Sequence, residues 1–418
     1  MRPFFIFLTL TLFNYIPTYS QPKGIHLSWN GINEVKTSTN MAITWLNENT
    51  DNGVVQYGLT DKNFNTTIKA TEAYSEGLKT YVSKATLENL KPATYYYYRV
   101  GSQKNGWSLV YKFRTGPVAG EKSKIVIGIW SDTQNNGGNY NFEQTDTIVK
   151  LMSKKAYYFT IHNGDIVENG SVVKNWKDYF NVAQPINANY PLMSVTGNHD
   201  VVNETASPIF QKPFPIFYEL MNLPKNQLNY SYDYGNTHFV AINSGYAQGA
   251  EKVGKVLFEK NSDEYRWLEK DLSSAHDNKN ISWIILYCHY PIYSFGASHI
   301  LTWENNIKLL VDKYKVDLCL AGHRHVYERH KAIKGTEIFE QSDAHVYNKP
   351  QGTVYVTNGS CGGSLQGVGG WNLPTMLFTP KEKIYTYAVM TIEDRIINYK
   401  VFDKEGKQVD YFEIIKGE

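Results

Sequence analysis

Between Gly24 and about Pro117, apolar and polar residues alternate in short runs separated by turn formers: Met41 to Trp45, Gly53 to Tyr57, Tyr81 to Leu87, Tyr95 to Val100 and Leu109 to Phe113. A period of two places every second side chain on one face, so this pattern predicts the half-buried strands of an all-β sandwich. No cysteine and no acidic cluster falls there, and its histidine, His26, has no partner at ligand spacing. Beyond a polar, glycine-containing joint at Gly116 to Lys124, buried apolar runs alternate with helical segments, the mark of an α/β domain. Strands are predicted at Lys124 to Trp130, Tyr157 to Ile161, Pro191 to Val195, His238 to Asn243, Ile281 to Cys288, Val316 to Leu320 and Thr353 to Thr357. Helices are predicted at Glu143 to Lys154, Asp263 to Ala275 and Trp303 to Tyr314.

Length agrees with this change of rhythm, because 418 residues exceed the size at which one core stops growing. The expected organisation is a segment 1–21 that is removed, a sandwich over 22–118 and an α/β domain over 122–418. Met1 to Gln21 reads as a secretory signal: Arg2, an apolar run from Phe4 to Phe13, and small residues around Thr18-Tyr19-Ser20. The run is shorter than the roughly 20 apolar residues of a spanning helix, so no membrane anchor is expected. Secretion, or delivery to a lysosome- or vacuole-like compartment, follows. A net charge of +2 gives no reason to expect a nucleic-acid partner. Sequons at Asn65, Asn169, Asn203, Asn229, Asn280 and Asn358 are compatible with glycosylation on that route. The 3 cysteines, Cys288, Cys319 and Cys361, allow one internal disulfide at most, and Cys288 and Cys319 end apolar runs as small core residues would.

Candidate chemistry gathers just after predicted strand ends, where open α/β sheets place their ligands. The clusters are Asp132-Thr133-Gln134, Gly164-Asp165, Gly197-Asn198-His199-Asp200, Cys288-His289 and Gly322-His323-Arg324-His325. Each alone is ordinary; all of them in strand-end context point to a metal site. Two cations about 3.5–4 Å apart repel, so a carboxylate must bridge them, and Asp165 is the candidate. Asp165, Asn198, His289 and His323 would surround one ion, and Asp132, Asp165 and His325, with Gln134, the other. Nitrogen and oxygen donors without thiolate suit Zn, Mn or Fe.

These blocks resemble the calcineurin-like metallophosphoesterases, whose motifs run D-x-G or D-x-H, G-D-x-x-Y, G-N-H-E or G-N-H-D, a lone His, and G-H-x-H. Tyr232-Asp233-Tyr234-Gly235 with His238-Phe239-Val240, Tyr265-Arg266-Trp267-Leu268 and Tyr327-Glu328-Arg329 resemble the purple acid phosphatase branch, and the N-terminal sandwich resembles that branch's fibronectin type III-like domain. The resemblance implies two packed mixed sheets flanked by helices and a phosphoester hydrolase working through a metal-held hydroxide. It also implies roles in phosphate binding or leaving-group protonation for His199 and, ten residues beyond His289, for His299. The chain departs from the branch at two positions. Glu168 stands where purple enzymes have the iron-binding tyrosine, and Gln134 stands where they have glycine and most of the superfamily has histidine. Either side chain could supply the missing ligand.

A small phosphorylated substrate, and phosphomonoester hydrolysis as the reaction, is the first expectation. Phosphodiester or nucleotide pyrophosphate hydrolysis would use the same ions behind a different pocket. A secreted binding protein that kept the fold without the chemistry is the reading from another class.

Overall fold

In the computed structural model, the residues described are 21–50, 52–134, 142–200, 215–245, 256–294, 302–341, 343–367 and 373–417. The N-terminal part forms two antiparallel sheets. One is ordered Lys23–Ser28, Met41–Asn47, Thr80–Leu87, Thr71–Ser75. The other runs Thr66–Lys69, Val54–Gly58, Tyr95–Ser102, with Gly106–Trp107 and Tyr111–Arg114 both paired to Tyr95–Ser102. Alternation sorts the side chains as expected: Tyr96, Tyr98 and Val100 are buried while Tyr95 is exposed. Four strands were not announced by the pattern: Lys23–Ser28, the two-residue Gly106–Trp107, and Thr66–Lys69 and Thr71–Ser75, which are mostly polar sheet edges paired through ladder hydrogen bonds.

The α/β part contains two seven-stranded mixed sheets. The first places Leu192–Ser194, Phe159–His162 and Ile125–Trp130 in parallel, then continues antiparallel through Thr386–Glu393, Ile396–Asp403 and Gln408–Ile415, on which the short edge Val346–Asn348 pairs in parallel. The second holds Thr237–Ala241, Trp283–Tyr287, Leu318–Ala321 and Val354–Asn358 in parallel, with Tyr230–Tyr234 on one side and Tyr327–His330 and Met376–Phe378 on the other. Because the central strands of each sheet are parallel, their C-terminal ends lie along one rim. The buried Arg329 ties the sheets together: its Nε and Nη2 donate to Asp410 at 2.8 and 3.1 Å, and Tyr327 Oη donates to the same carboxylate at 2.8 Å. A bidentate pair of this kind fixes orientation as well as charge.

The sandwich is joined to the α/β part through one continuous apolar core. Trp29 packs on Phe159 of the first sheet (ring centroids 5.3 Å) and on Tyr232 and Tyr234 of the second (5.9 and 5.5 Å). The helix Val173–Asn187, which the sequence reading missed, covers strand Lys23–Ser28: Phe180 stacks on His26 at 4.3 Å, and Gln184 Oε1 accepts the Ile25 N–H at 3.1 Å. All three cysteines are buried and unpaired, so the disulfide that the count allowed is not formed.

Candidate metal centre

Five turns at the shared rim converge. From the first sheet come Asp132 and Gln134 after Ile125–Trp130, Asp165 after Phe159–His162, and Asn198 and His199 after Leu192–Ser194; from the second come His289 after Trp283–Tyr287, and His323 and His325 after Leu318–Ala321. The chain leaves its strands in unusual conformations there. Asp132, Asp165 and His323 have φ of 55°, 51° and 66°. Left-handed backbone at a residue other than glycine costs on the order of 1–3 kcal/mol and collects where the surrounding structure enforces it. The neighbouring glycines make room: a Cβ on Gly197 would stand 2.0 Å from Asp165 Oδ1, and one on Gly322 would stand 2.5 Å from Asp132 Oδ2.

Two sets of donors result. In one, the ligand atoms of Asp165, His289 and His323 lie within 4.8 Å of one another; in the other, those of Asp132, Asp165 and His325 do. Asp165 belongs to both. Asn198 Oδ1 lies 3.0 Å from His289 Nε2 and 3.0 Å from His323 Nδ1, so its carbonyl oxygen faces the middle of the first set. Each remaining ring nitrogen of His289 and His325 is committed elsewhere. His289 Nδ1 donates to Asn163 O at 2.9 Å and His325 Nδ1 to Ser364 O at 2.8 Å, which turns both Nε2 lone pairs inward. Backbone amides steady the carboxylates: His199 N–H donates to Asp165 Oδ1 at 2.8 Å, and His323 N–H to both oxygens of Asp132 at 2.9 and 3.0 Å.

The charges of this cluster depend on one another. Burial raises the Asp165 carboxyl, but His289 outweighs it and holds the group below the usual carboxylate range. Burial lowers His289, yet Asp165 carries it up to about 9. At Asp132 burial prevails over the imidazoles and the carboxyl is raised, while His323, buried beside His289, falls well below the ordinary histidine value. Buried carboxylates and imidazoles that face each other at 3.3 Å (Asp165 Oδ2 and His289 Nε2) and 3.5 Å (Asp132 Oδ1 and His325 Nε2) are donors that a divalent ion fits, since an ion replaces the proton between them.

Of the residues chosen from sequence, Asp132, Gln134, Asp165, Asn198, His289, His323 and His325 come together here, whereas His299 lies outside the described residues. His199 is at the edge, a third exposed, its Nδ1 donating to Glu168 O at 2.8 Å. Burial lowers its pKa, but Asp165 and the Glu168 carbonyl raise it by more. Sequence reasoning gave Asp200 no role. It is buried, accepting the N–H groups of Ile166 (2.9 Å), Val167 (3.1 Å) and Gly197 (2.8 Å), and so fastens the Asp165 turn to the Asn198 turn. The acidic residue closing Gly197-Asn198-His199-Asp200 was the available signal. His162, whose Nε2 meets Thr133 Oγ1 at 3.0 Å, supports the turn carrying Asp132 and Gln134.

Comparison with known proteins gives the family. Residues 22–115 match the family described as purple acid phosphatase, N-terminal domain, and residues 125–327 match the calcineurin-like phosphoesterase family. Probable purple acid phosphatase 20 of Arabidopsis thaliana is 25% identical over 84% of this chain and 76% of its own length. Acid phosphatase type 7 of Homo sapiens is 26% identical over 82% of this chain and 78% of its own. The solved structure of a purple acid phosphatase from yellow lupin (Lupinus luteus) seeds superposes with a TM-score of 0.78 at 20% identity, over 95% of this chain and 74% of that one, and shows the same fold. The chain belongs to the calcineurin-like metallophosphoesterases, in the branch with a purple acid phosphatase N-terminal domain, and is a metal-dependent phosphoester hydrolase.

Proposed function

We propose that the protein is a secreted phosphatase that hydrolyses small phosphomonoesters at a dinuclear centre of Fe, Zn or Mn. The observation that carries this reading is the sharing of Asp165 between two ligand sets. Asp165, Asn198, His289 and His323 would hold one ion, and Asp132, Asp165 and His325 the other. When bound, such a pair supplies a hydroxide at neutral pH and neutralises phosphoryl oxygens. The chain's own groups do the rest. His199, its Nδ1 fixed on Glu168 O, presents Nε2 to hydrogen-bond the phosphoryl group and to protonate the departing alkoxide. Glycines 197 and 322 let backbone approach the carboxylates without displacing them. His299 is proposed as a further substrate-side group.

The sequence segment Met1 to Gln21 supports secretion, and so do sequons in reach of a glycosylating enzyme: Asn65, Asn169 and Asn280 are exposed. Asn229 and Asn358 are buried, so those two are excluded from modification in the folded protein, and Asn203 lies outside the described residues. Among the described residues no helix is long and apolar enough to cross a membrane. The reaction is tested by rates on an aryl phosphate and on its bis-ester. The monoester should be preferred at least about tenfold in kcat/KM, a difference of about 1.4 kcal/mol in transition-state binding. Preference for the bis-ester would move the assignment to phosphodiester hydrolysis.

A further inference from the structure

One polar atom at the centre is left over. Gln134 Oε1 is buried with no hydrogen-bond partner, while Gln134 Nε2 donates to Asp165 Oδ2 at 3.1 Å and faces His325 Nε2 at 3.2 Å. Those two acceptor atoms belong to side chains of the Asp132–Asp165–His325 set, and they are the lone pairs an ion there would take. With His325 Nδ1 committed to Ser364 O, the amide N–H groups stand in for a cation. Once an ion claims both lone pairs, the amide nitrogen loses its acceptors and faces positive charge. A half-turn about the last side-chain bond exchanges nitrogen for the partnerless oxygen without changing the shape of the side chain.

Glu168 is placed for other work. Its carboxylate lies 3.7 Å from His199 Nδ1, its carbonyl receives that nitrogen's proton, and it is not among the side chains whose ligand atoms gather at the centre. Tyr290 packs on the imidazoles of the other set, 4.0 Å from His323 and 5.5 Å from His289.

We propose that Gln134 closes the coordination sphere of the Asp132–Asp165–His325 ion through its amide oxygen, and that the centre therefore takes two divalent ions. The inference rests on the dinuclear reading above. Among the described residues Asp132 and Asp165 are the anionic side chains of the two sets. A tyrosinate in place of the amide would add a third negative charge and offset a trivalent ion; a neutral amide cannot, and uncompensated charge in a buried site is costly. Of the three metals named, zinc and manganese fit as divalent ions, and iron fits in its ferrous form.

The test is titration of chelator-stripped protein with Mn(II) and with Zn(II), counting bound ions by elemental analysis, together with a visible spectrum of iron-loaded protein. Wild type should take about two ions and remain colourless with iron. Gln134→Ala should weaken one ion at least about tenfold, Gln134→Glu should keep it, and Glu168→Gln should keep both. The proposal is overturned if Gln134→Ala binds both ions as wild type does, if Glu168→Gln loses one, or if iron-loaded protein is purple with a band that Tyr290→Phe abolishes. Circular dichroism checks the fold of each variant; should Gln134→Ala not fold, Gln134→Asn, which withdraws the oxygen by one methylene, takes its place with the same expected loss. Wild type that binds no ion sinks the metal-centre reading itself, whereas wild type with two ions and indifferent Gln134 variants sinks this inference alone.

Discussion

His199 is the side chain at the site that touches neither set of donors yet stands against both of the groups that organise it. Its backbone N–H steadies Asp165 and its ring is held on Glu168 O. The backbone contact survives truncation of the ring, so the two contributions separate. His199→Ala should lower kcat by about 100-fold or more, the range of a lost general acid, with bound metal unchanged by elemental analysis. Loss of metal in parallel with activity would make His199 structural instead. The site was legible in the sequence to the extent that its donors recur in short polar clusters at strand ends, with glycine before Asp165, Asn198 and His323. Asn163 O and Ser364 O, which set the imidazole tautomers, were not, because a backbone carbonyl or a loop position carries no residue-type signal.

Among the elements, Asp263–Asp277 was readable because Ser262 caps it, accepting the Tyr265 N–H at 3.1 Å, with Asp263 and Glu264 in its first turn. Helix Val173–Asn187 has no side-chain cap, no acidic first turn and an internal Pro185, which hid an otherwise regular buried stripe of Trp176, Tyr179, Phe180 and Ala183. The strands Thr386–Glu393, Ile396–Asp403 and Gln408–Ile415 alternate visibly in burial, pair with their neighbours in sequence and could have been read; the partner that joins them to the parallel strands, Ile125–Trp130 against Thr386–Glu393, is more than 200 residues away by sequence number, and no local signal names it. His238 joins three elements, its Nδ1 2.6 Å from Asp233 on Tyr230–Tyr234 and its Nε2 3.0 Å from Asp271 on helix Asp263–Asp277. Burial lowers its pKa, but the two carboxylates overcome this and bring it up to about 9. A folded value above the unfolded one, about 6.5, means stabilisation that is complete below about pH 6.5 and disappears as pH rises through about 9. The unfolding free-energy gap between wild type and His238→Gln should therefore narrow by on the order of 2–3 kcal/mol between pH 6 and pH 10 in denaturant titrations. A gap that is constant over that range would show that His238 is held neutral.

At the scale of the whole molecule, the two-part organisation is written in the change from a period of two to alternating strands and helices, whereas the single core that joins the parts is not. Trp29 lies in the sandwich sequence but packs on strands of both α/β sheets, and Arg329 meets Asp410 across them. The rim that carries the site is thus braced from both sides, and that bracing lets five separate turns hold their donors within a few ångströms. Asp165 is the carboxylate common to both sets of donors, and the dinuclear centre depends on it. Elemental analysis of wild type and Asp165→Asn, each confirmed folded, measures this directly. The prediction is about two ions per wild-type chain and less than one in the variant, because an amide cannot bridge two cations as a carboxylate does; a variant that keeps both ions, or a wild type that binds none after addition of Mn or Zn, would contradict it.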